Sequence, residues 1–250
     1  MAATEDAIRV EDTAKRIRVL FGGAYLADTI SAKLVWERAS YPTYYIPAGD
    51  VRTDLLAPSG RTEHTAGLGD AAVHDVTVGD ATAPGAARWY TESTVPGLNG
   101  TVRFDWGAMD AWFEEEEQVH VHPRDPYTRI DVLQSSRHVR VEVDGVTVAD
   151  SHQPRLLFET GLPTRYYLPK TDVRMDLLRP ADRVTHCPYK GSAEYYALTV
   201  TGATYDDAVW WYRNPLRESI QIAGYVCFYN ERVDLYVDGA RQQRPVTPFS

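Results

Sequence analysis

The sequence predicts a mainly β protein made of two tandem copies of one unit, each with little helix. Three observations carry that reading. They are an internal repeat at constant offset, alternating apolar runs that close on Gly-containing turns, and one clear helix-start signal in 250 residues. The repeat comes first, because overlooking one misassigns the whole fold. Residues 44–56 read YYIPAGDVRTDLL and residues 166–178 read YYLPKTDVRMDLL, identical at nine of 13 positions and 122 apart. Ala27-Asp28-Thr29 answers Ala149-Asp150-Ser151 at the same offset, and Trp89-Tyr90 answers the run Trp210-Trp211-Tyr212. Phe104-Asp105-Trp106 answers Phe228-Tyr229-Asn230 at an offset of 124, so a small indel lies between. Co-linear matches on this scale mark a tandem duplication.

Each element follows from local chemistry. Val139, Val141 and Val143 alternate with polar residues, Asp144-Gly145 intervenes, and Val146 and Val148 resume the alternation. Asp-Gly between alternating runs predicts a hairpin, since a type I′ turn needs positive φ at both central positions. Val19 and Phe21, Gly22-Gly23 and Tyr25 repeat the pattern in the first copy. Val76–Val78 and Leu198–Val200 also alternate into Gly-containing turns. The helix signal is Asn214-Pro215-Leu216, with Asn as N-cap, Pro at N1 and Glu218 in the first turn. Leu216, Ile220 and Ala223 would then share one face. The first copy has Pro96, Gly97, Asn99 and Gly100 there, so its helix is expected to be weak or absent.

These signals divide the chain into an N-terminal tail (1–15), a first β domain (16–122), a linker (123–136) and a second β domain (137–250). Pro123 and Pro126 flank Arg124-Asp125 in the linker and favour extended or turn backbone. The segment 239–250, rich in Gln, Arg and Pro, reads as an exposed or loosely packed tail. Composition excludes several classes. Hydrophobic residues at 44% argue against wholesale disorder, and 26 Lys+Arg against 35 Asp+Glu give a net charge of −9 that repels phosphate backbones. No nucleic-acid partner is therefore expected. No stretch approaches the roughly 20 apolar residues of a membrane helix, and the N-terminus lacks an apolar signal core. The expectation is a cytoplasmic protein without a membrane partner. Cys187 and Cys227 are too few for a disulfide framework or a four-cysteine zinc site.

The run 185–196, THCPYKGSAEYY, resembles the T-x-C-P-x-K-G-x-A-x-Y signature of the DUF427 family. The stretch 222–229, IAGYVCFY, the paired YYxPxxDVRxDLL segments and the HPRDPY run between the copies are similar to that family too. The resemblance covers nearly the whole chain from about residue 16. It implies a compact, tent-like β fold in each copy, similar to several zinc-binding domains, and a family description as nucleotidyltransferase-like. The first copy departs from the pattern. It has Arg61-Thr62-Glu63-His64-Thr65-Ala66-Gly67 where CPYKG should fall, and no cysteine.

The candidate site follows from these residues. A thiolate is the reactive form of cysteine, and a neighbouring cation lowers its pKa from about 8.5. Cys187 is therefore the candidate nucleophile, Lys190 the charge stabiliser, and His186 or Asp172 the acid/base. The alternative is that Cys187 is a small buried residue and CPYKG a structural turn. Asp172, Arg174 and Asp176 alternate, which would put them on one strand face. There they either bind an anion or neutralise one another. Tyr166, Tyr195, Tyr196 and Trp211 would wall a pocket for a planar or sugar-like ligand, or simply pack the core. His120 and His122 beside Glu114–Glu117 suggest a metal, but four glutamates more often make a solvated edge, so no metal ligand is assigned. No Walker loop, GxGxxG, GxSxG or HExxH occurs, and no cofactor is expected. Two functions stay open: an enzyme acting on a small polar or anionic metabolite in the second copy, or a non-catalytic small-ligand-binding or interaction module. The reaction, the ligand and the oligomeric state are not encoded in any of these motifs.

Overall fold

The computed structural model of the chain describes residues 8–247. Residues 1–7 of the expected N-terminal tail and 248–250 of the C-terminal tail lie outside the described residues. The chain divides into two compact units, 1–125 and 126–250.

The first unit contains β1 (Arg9–Asp12), β2 (Ile17–Phe21), β3 (Ala24–Thr29), β4 (Lys33–Arg38) and β5 (Tyr41–Pro47). It continues with β6 (Leu56–Thr65), β7 (Gly69–Val78), β8 (Ala81–Glu92), β9 (Thr101–Phe104), β10 (Ala111–Glu114) and β11 (Glu117–Val119). They form a seven-stranded sheet, β1-β4-β5-β9-β8-β7-β6, and a four-stranded sheet, β11-β10-β2-β3. The second unit contains β12 (Ile130–Gln134), β13 (Val139–Val143), β14 (Val146–Ser151), β15 (Arg155–Glu159) and β16 (Arg165–Leu168). Then follow β17 (Leu178–Cys187), β18 (Gly191–Val200), β19 (Ala203–Tyr212), β20 (Val226–Phe228), β21 (Asp234–Val237) and β22 (Ala240–Arg241). Its sheets run β12-β15-β16-β20-β19-β18-β17 and β14-β13-β21-β22, the same strand order as in the first unit once the small sheet is read from its other edge. The duplicated sequence therefore encodes a duplicated, mainly β architecture.

The turn chemistry holds in detail. Asp144 and Gly145 have φ of 50° and 74°, and Gly22 and Gly23 have 58° and 79°, as a type I′ turn requires. In each unit the main core lies between the two sheets. Ile17, Val19 and Leu26 of the small sheet meet Ile46, Val102 and Phe104 of the large one. Val139, Val141 and Leu235 meet Leu168, Val226 and Phe228 in the same way. A second cluster covers the other face of each large sheet. It comprises Tyr45, Leu68, Tyr90 and Leu98 in the first unit and Tyr167, Tyr195, Trp210, Tyr212 and Cys227 in the second. No helix among the described residues is long and apolar enough to cross a membrane.

Four expectations change. The segment 9–12, read as tail, is edge strand β1, paired to β4. The segment 130–134, read as linker, is edge strand β12, paired to β15. Both are short edge strands carrying charge, and in β12 only Val132 is buried, so neither shows a clear alternating stripe. The expected helix from Asn214 is a 3₁₀ segment, Arg217–Ile222, with Leu216 as N-cap. Its three-residue period buries Ser219 and Ile222 and leaves Ile220 exposed. Finally, Asp172 and Asp176 do not share a strand face with Arg174. The chain folds there into two 3₁₀ turns, Lys170–Asp172 and Met175–Leu177, with Val173 bridging Ala149 between them.

Candidate functional site

The CPYKG run is the turn of the β17–β18 hairpin. Cys187 ends β17 opposite Gly191, and Pro188-Tyr189-Lys190 close a three-residue loop. Gly191 has φ of 95°, which a side chain would strain. Because neighbouring strand residues point to opposite faces, Cys187 and His186 separate. His186 turns to the exposed side, with Nδ1 2.9 Å from the Ser192 hydroxyl. Two residues before Cys187, Thr185 meets the Tyr195 hydroxyl at 2.8 Å on the aromatic face of the large sheet. Cys187 lies near Tyr212, whose ionisation is pushed well up by burial and further by that thiol. Cys187 itself is half-buried, whereas Cys227 is wholly buried and pushed up to about 12 by loss of solvent.

The remaining candidates are dispersed. Lys190 forms a largely buried ion pair with Glu159. Asp172 accepts hydrogen bonds from the Ser151 hydroxyl at 2.6 Å and from Thr171 at 3.0 Å. Arg174 closes a two-pronged pair on Asp176, at 2.8 and 2.7 Å, and Arg52 does the same on Asp54. Tyr195 faces the outer cluster, while Tyr166, Tyr196 and Trp211 pack on the opposite, inter-sheet side. There the Lys170 ammonium lies 3.4 Å from the Trp211 ring centroid and donates to the Tyr196 hydroxyl at 3.0 Å. The cation place on that aromatic pair is thus filled by the chain's own lysine. His122 stacks on Tyr41 at 4.0 Å, with Nδ1 2.7 Å from the Pro123 carbonyl.

Sequence reasoning missed the places where the two copies differ in the interior. Glu159 has a counterpart, Glu37, on β4. In the first unit a buried Leu68 stands at the Lys190 position, and the cation is Arg103, 3.0 Å from Glu37. Arg103 pairs across from Arg88 as Cys227 pairs across from Trp210, so it occupies the Cys227 position. The carboxylate is kept in both copies and its partner moves from the hairpin turn to a central strand.

A second difference shapes the surface. In the second unit Arg165 and Glu231 form a buried two-pronged pair, both bonds 2.7 Å, with side chains 7% and 0% exposed. Burial pushes the Glu231 carboxyl up, but hydrogen bonds from Arg165 and Thr247 outweigh it and hold the group at about 2. The first unit has Thr43 and Gly107 in their place. There a cavity of about 150 Å³ opens, lined by Tyr41, Thr43, Tyr44, Trp106, Trp112 and His122, with Arg38, Glu37 and Arg103 at its polar side. Trp106 and Trp112 stack at 4.6 Å with planes 3° apart, and Tyr44 leans on both. Behind this wall Glu114, 3% exposed, accepts from the Tyr44 hydroxyl at 2.7 Å and pairs with Lys15 at 2.6 Å. Only the later glutamates of that run form the solvated edge the sequence suggests. An offset comparison carries the signal for the charge pair and the cavity, because Thr43→Arg165 and Gly107→Glu231 are uncharged-to-charged exchanges at matched positions.

The fold and the hairpin define a class: a tandem pair of two-sheet β units, one of which carries a CPYKG turn. The domain of unknown function DUF427 matches residues 9–115 and 131–239, and the chain belongs to that family. Comparison with curated proteins finds no match.

Proposed function

We propose that the protein is a non-catalytic binder of a small ring-shaped, polar or anionic metabolite, held in the aromatic cavity of the first unit. The observation that carries this is the cavity of about 150 Å³ between the Tyr41–His122 stack and the Trp106–Trp112 stack. A void of that size accommodates roughly one six-membered ring, and aromatic faces suit planar or sugar rings. Among the described residues no carboxylate pairs with Arg38, whose Nη1 lies 3.4 Å from the Tyr41 hydroxyl at the cavity edge. That leaves a guanidinium for an acidic substituent. Nucleotidyl transfer is less well supported. It calls for carboxylates free to hold Mg²⁺, and Asp172 and Asp176 are engaged by Ser151 and Arg174. A location in the cytoplasm fits the charge and cysteine usage and belongs to the same proposal.

The test is a titration of the full chain with two single-ring acids, D-glucuronate and nicotinate, followed by tryptophan emission. At least one should give a saturable change that Trp106→Ala abolishes and Arg38→Ala weakens by about tenfold. The rival is an enzyme centred on Cys187, favoured by the half-exposed thiol beside Tyr212. Absence of a saturable response to either acid removes the proposal and leaves that rival in front.

A further inference from the structure

We infer that His138, Asp150 and His152 form a binding site for a borderline divalent transition-metal ion, in a part of the second unit remote in sequence from the CPYKG turn. The three side chains offer one ligand atom each, all within 4.8 Å of one another. Strand pairing explains why. β13 and β14 are antiparallel, with Val139 opposite Ser151 and Arg140 opposite Asp150. One step further out, His138 faces His152, and their rings stack at 4.3 Å with planes 12° apart. Asp150 lies two residues before His152, hence on the same face. Its Oδ1 sits 2.7 Å from His138 Nε2.

The frame is held from several sides. The hairpin closes on the Asp144-Gly145 turn. The His138 amide donates to Asp238 Oδ1 at 3.0 Å, and Ser151, between two of the ligands, is tied to Asp172 at 2.6 Å. The side chains stay accessible, His138 at 34% and Asp150 at 52%. Two imidazole nitrogens and one carboxylate oxygen suit Zn²⁺, Cu²⁺, Ni²⁺ or Co²⁺ over Mg²⁺ or Ca²⁺. Three protein ligands and an open fourth position are the pattern of an accessible zinc site rather than a closed structural one. The expectation of no metal counted ligands for a closed four-ligand site and so passed over this arrangement.

The first unit supplies an internal comparison. It keeps the carboxylate as Asp28 but has Arg16 and Ile30 at the two histidine positions. Arg16 grips Asp28 in a two-pronged ion pair, one arm 2.6 Å long. Between the copies a permanent cation and an alkyl chain are exchanged for two imidazoles, both of them ligands and both beside the retained carboxylate.

The experiment is calorimetric titration of the full chain with ZnCl₂, repeated on two variants. The native chain should saturate at one Zn²⁺ per chain, with ¹H–¹⁵N shifts confined to the ends of β13 and β14. His138→Arg/His152→Ile installs the residues the first unit already carries on the same hairpin, and should weaken binding at least about tenfold with the circular dichroism unchanged. Asp150→Asn should weaken it similarly, whereas His64→Ala/His186→Ala should not. No saturable zinc heat, or undiminished binding in the Arg/Ile variant or in Asp150→Asn, overturns the inference.

Discussion

The two copies share strand order, hairpin turns and the YYxPxxDVRxDLL segment, yet they handle charge and space in their interiors differently. The first leaves a cavity lined by Thr43 and by Trp106, the neighbour of Gly107, and the second has the Arg165–Glu231 pair at the positions matching Thr43 and Gly107. The first neutralises Glu37 with Arg103 on β9, and the second neutralises Glu159 with Lys190 in the CPYKG turn. The difference teaches that loss of the CPYKG motif in one copy is not by itself evidence of chemistry in the other. A lysine that compensates a buried carboxylate can be lost once another strand supplies the cation. An arginine–glutamate pair can be absent where the space it would fill is left as a cavity.

The largest test of this contrast is Glu231→Ala. It strands the buried Arg165 guanidinium and should cost about 3–5 kcal/mol in urea unfolding. Arg165→Thr/Glu231→Gly, the first copy's residues, removes both charges together and should cost about 1–2 kcal/mol. Equal losses would mean that the charge pair is not what distinguishes the two interiors. Next comes Lys190→Met, expected to lose about 1–3 kcal/mol by leaving Glu159 buried and unpaired. Adding Glu159→Gln should recover most of that loss if neutralisation is the role of Lys190. No recovery would assign the lysine another task.

The acid limb separates the copies by the presence of a titrating buried carboxylate in the second. The Glu231 carboxyl, held at about 2 against an ordinary 4.5, favours the folded state once ionised. Its contribution is full above about pH 4.5 and is lost as pH falls toward 2. The Arg165→Thr/Glu231→Gly variant should therefore show a flatter stability profile over that window, because the first copy's residues carry no titrating pair. An unchanged profile would shift the acid sensitivity to other carboxylates.

A gentler perturbation fills the first copy's cavity. Gly107 has open space around an added Cβ, so Thr43→Arg/Gly107→Glu should cost little stability, under about 1 kcal/mol. It should also abolish any response to the ring acids, and a retained response would relocate the ligand. The smallest expected effect concerns thiol reactivity. Cys187 should be alkylated well before the buried Cys227. Lys190→Met/Glu159→Gln, which removes a neutral pair, should change the Cys187 rate by less than about threefold. A larger slowing would mean that Lys190 acts on the thiol, and would revive the Cys187 enzyme.

The sequence by itself determined the duplication, the mainly β class and the Asp144-Gly145 and Gly22-Gly23 hairpins. All of these follow from offset, alternation and turn chemistry, which act over a few residues. The edge strands 9–12 and 130–134 were not legible, because a charged edge pairs through its backbone and leaves no apolar stripe. Tertiary structure alone decided which polar groups meet. Lys190 finds Glu159 across 31 positions, Arg165 finds Glu231 across 66, and Glu114 receives Tyr44 across 70. Such meetings depend on the register of strands distant along the chain, and on what volume the neighbouring copy-specific residues leave. A strand's own sequence states which face each side chain takes, but only the packed sheet determines what waits there.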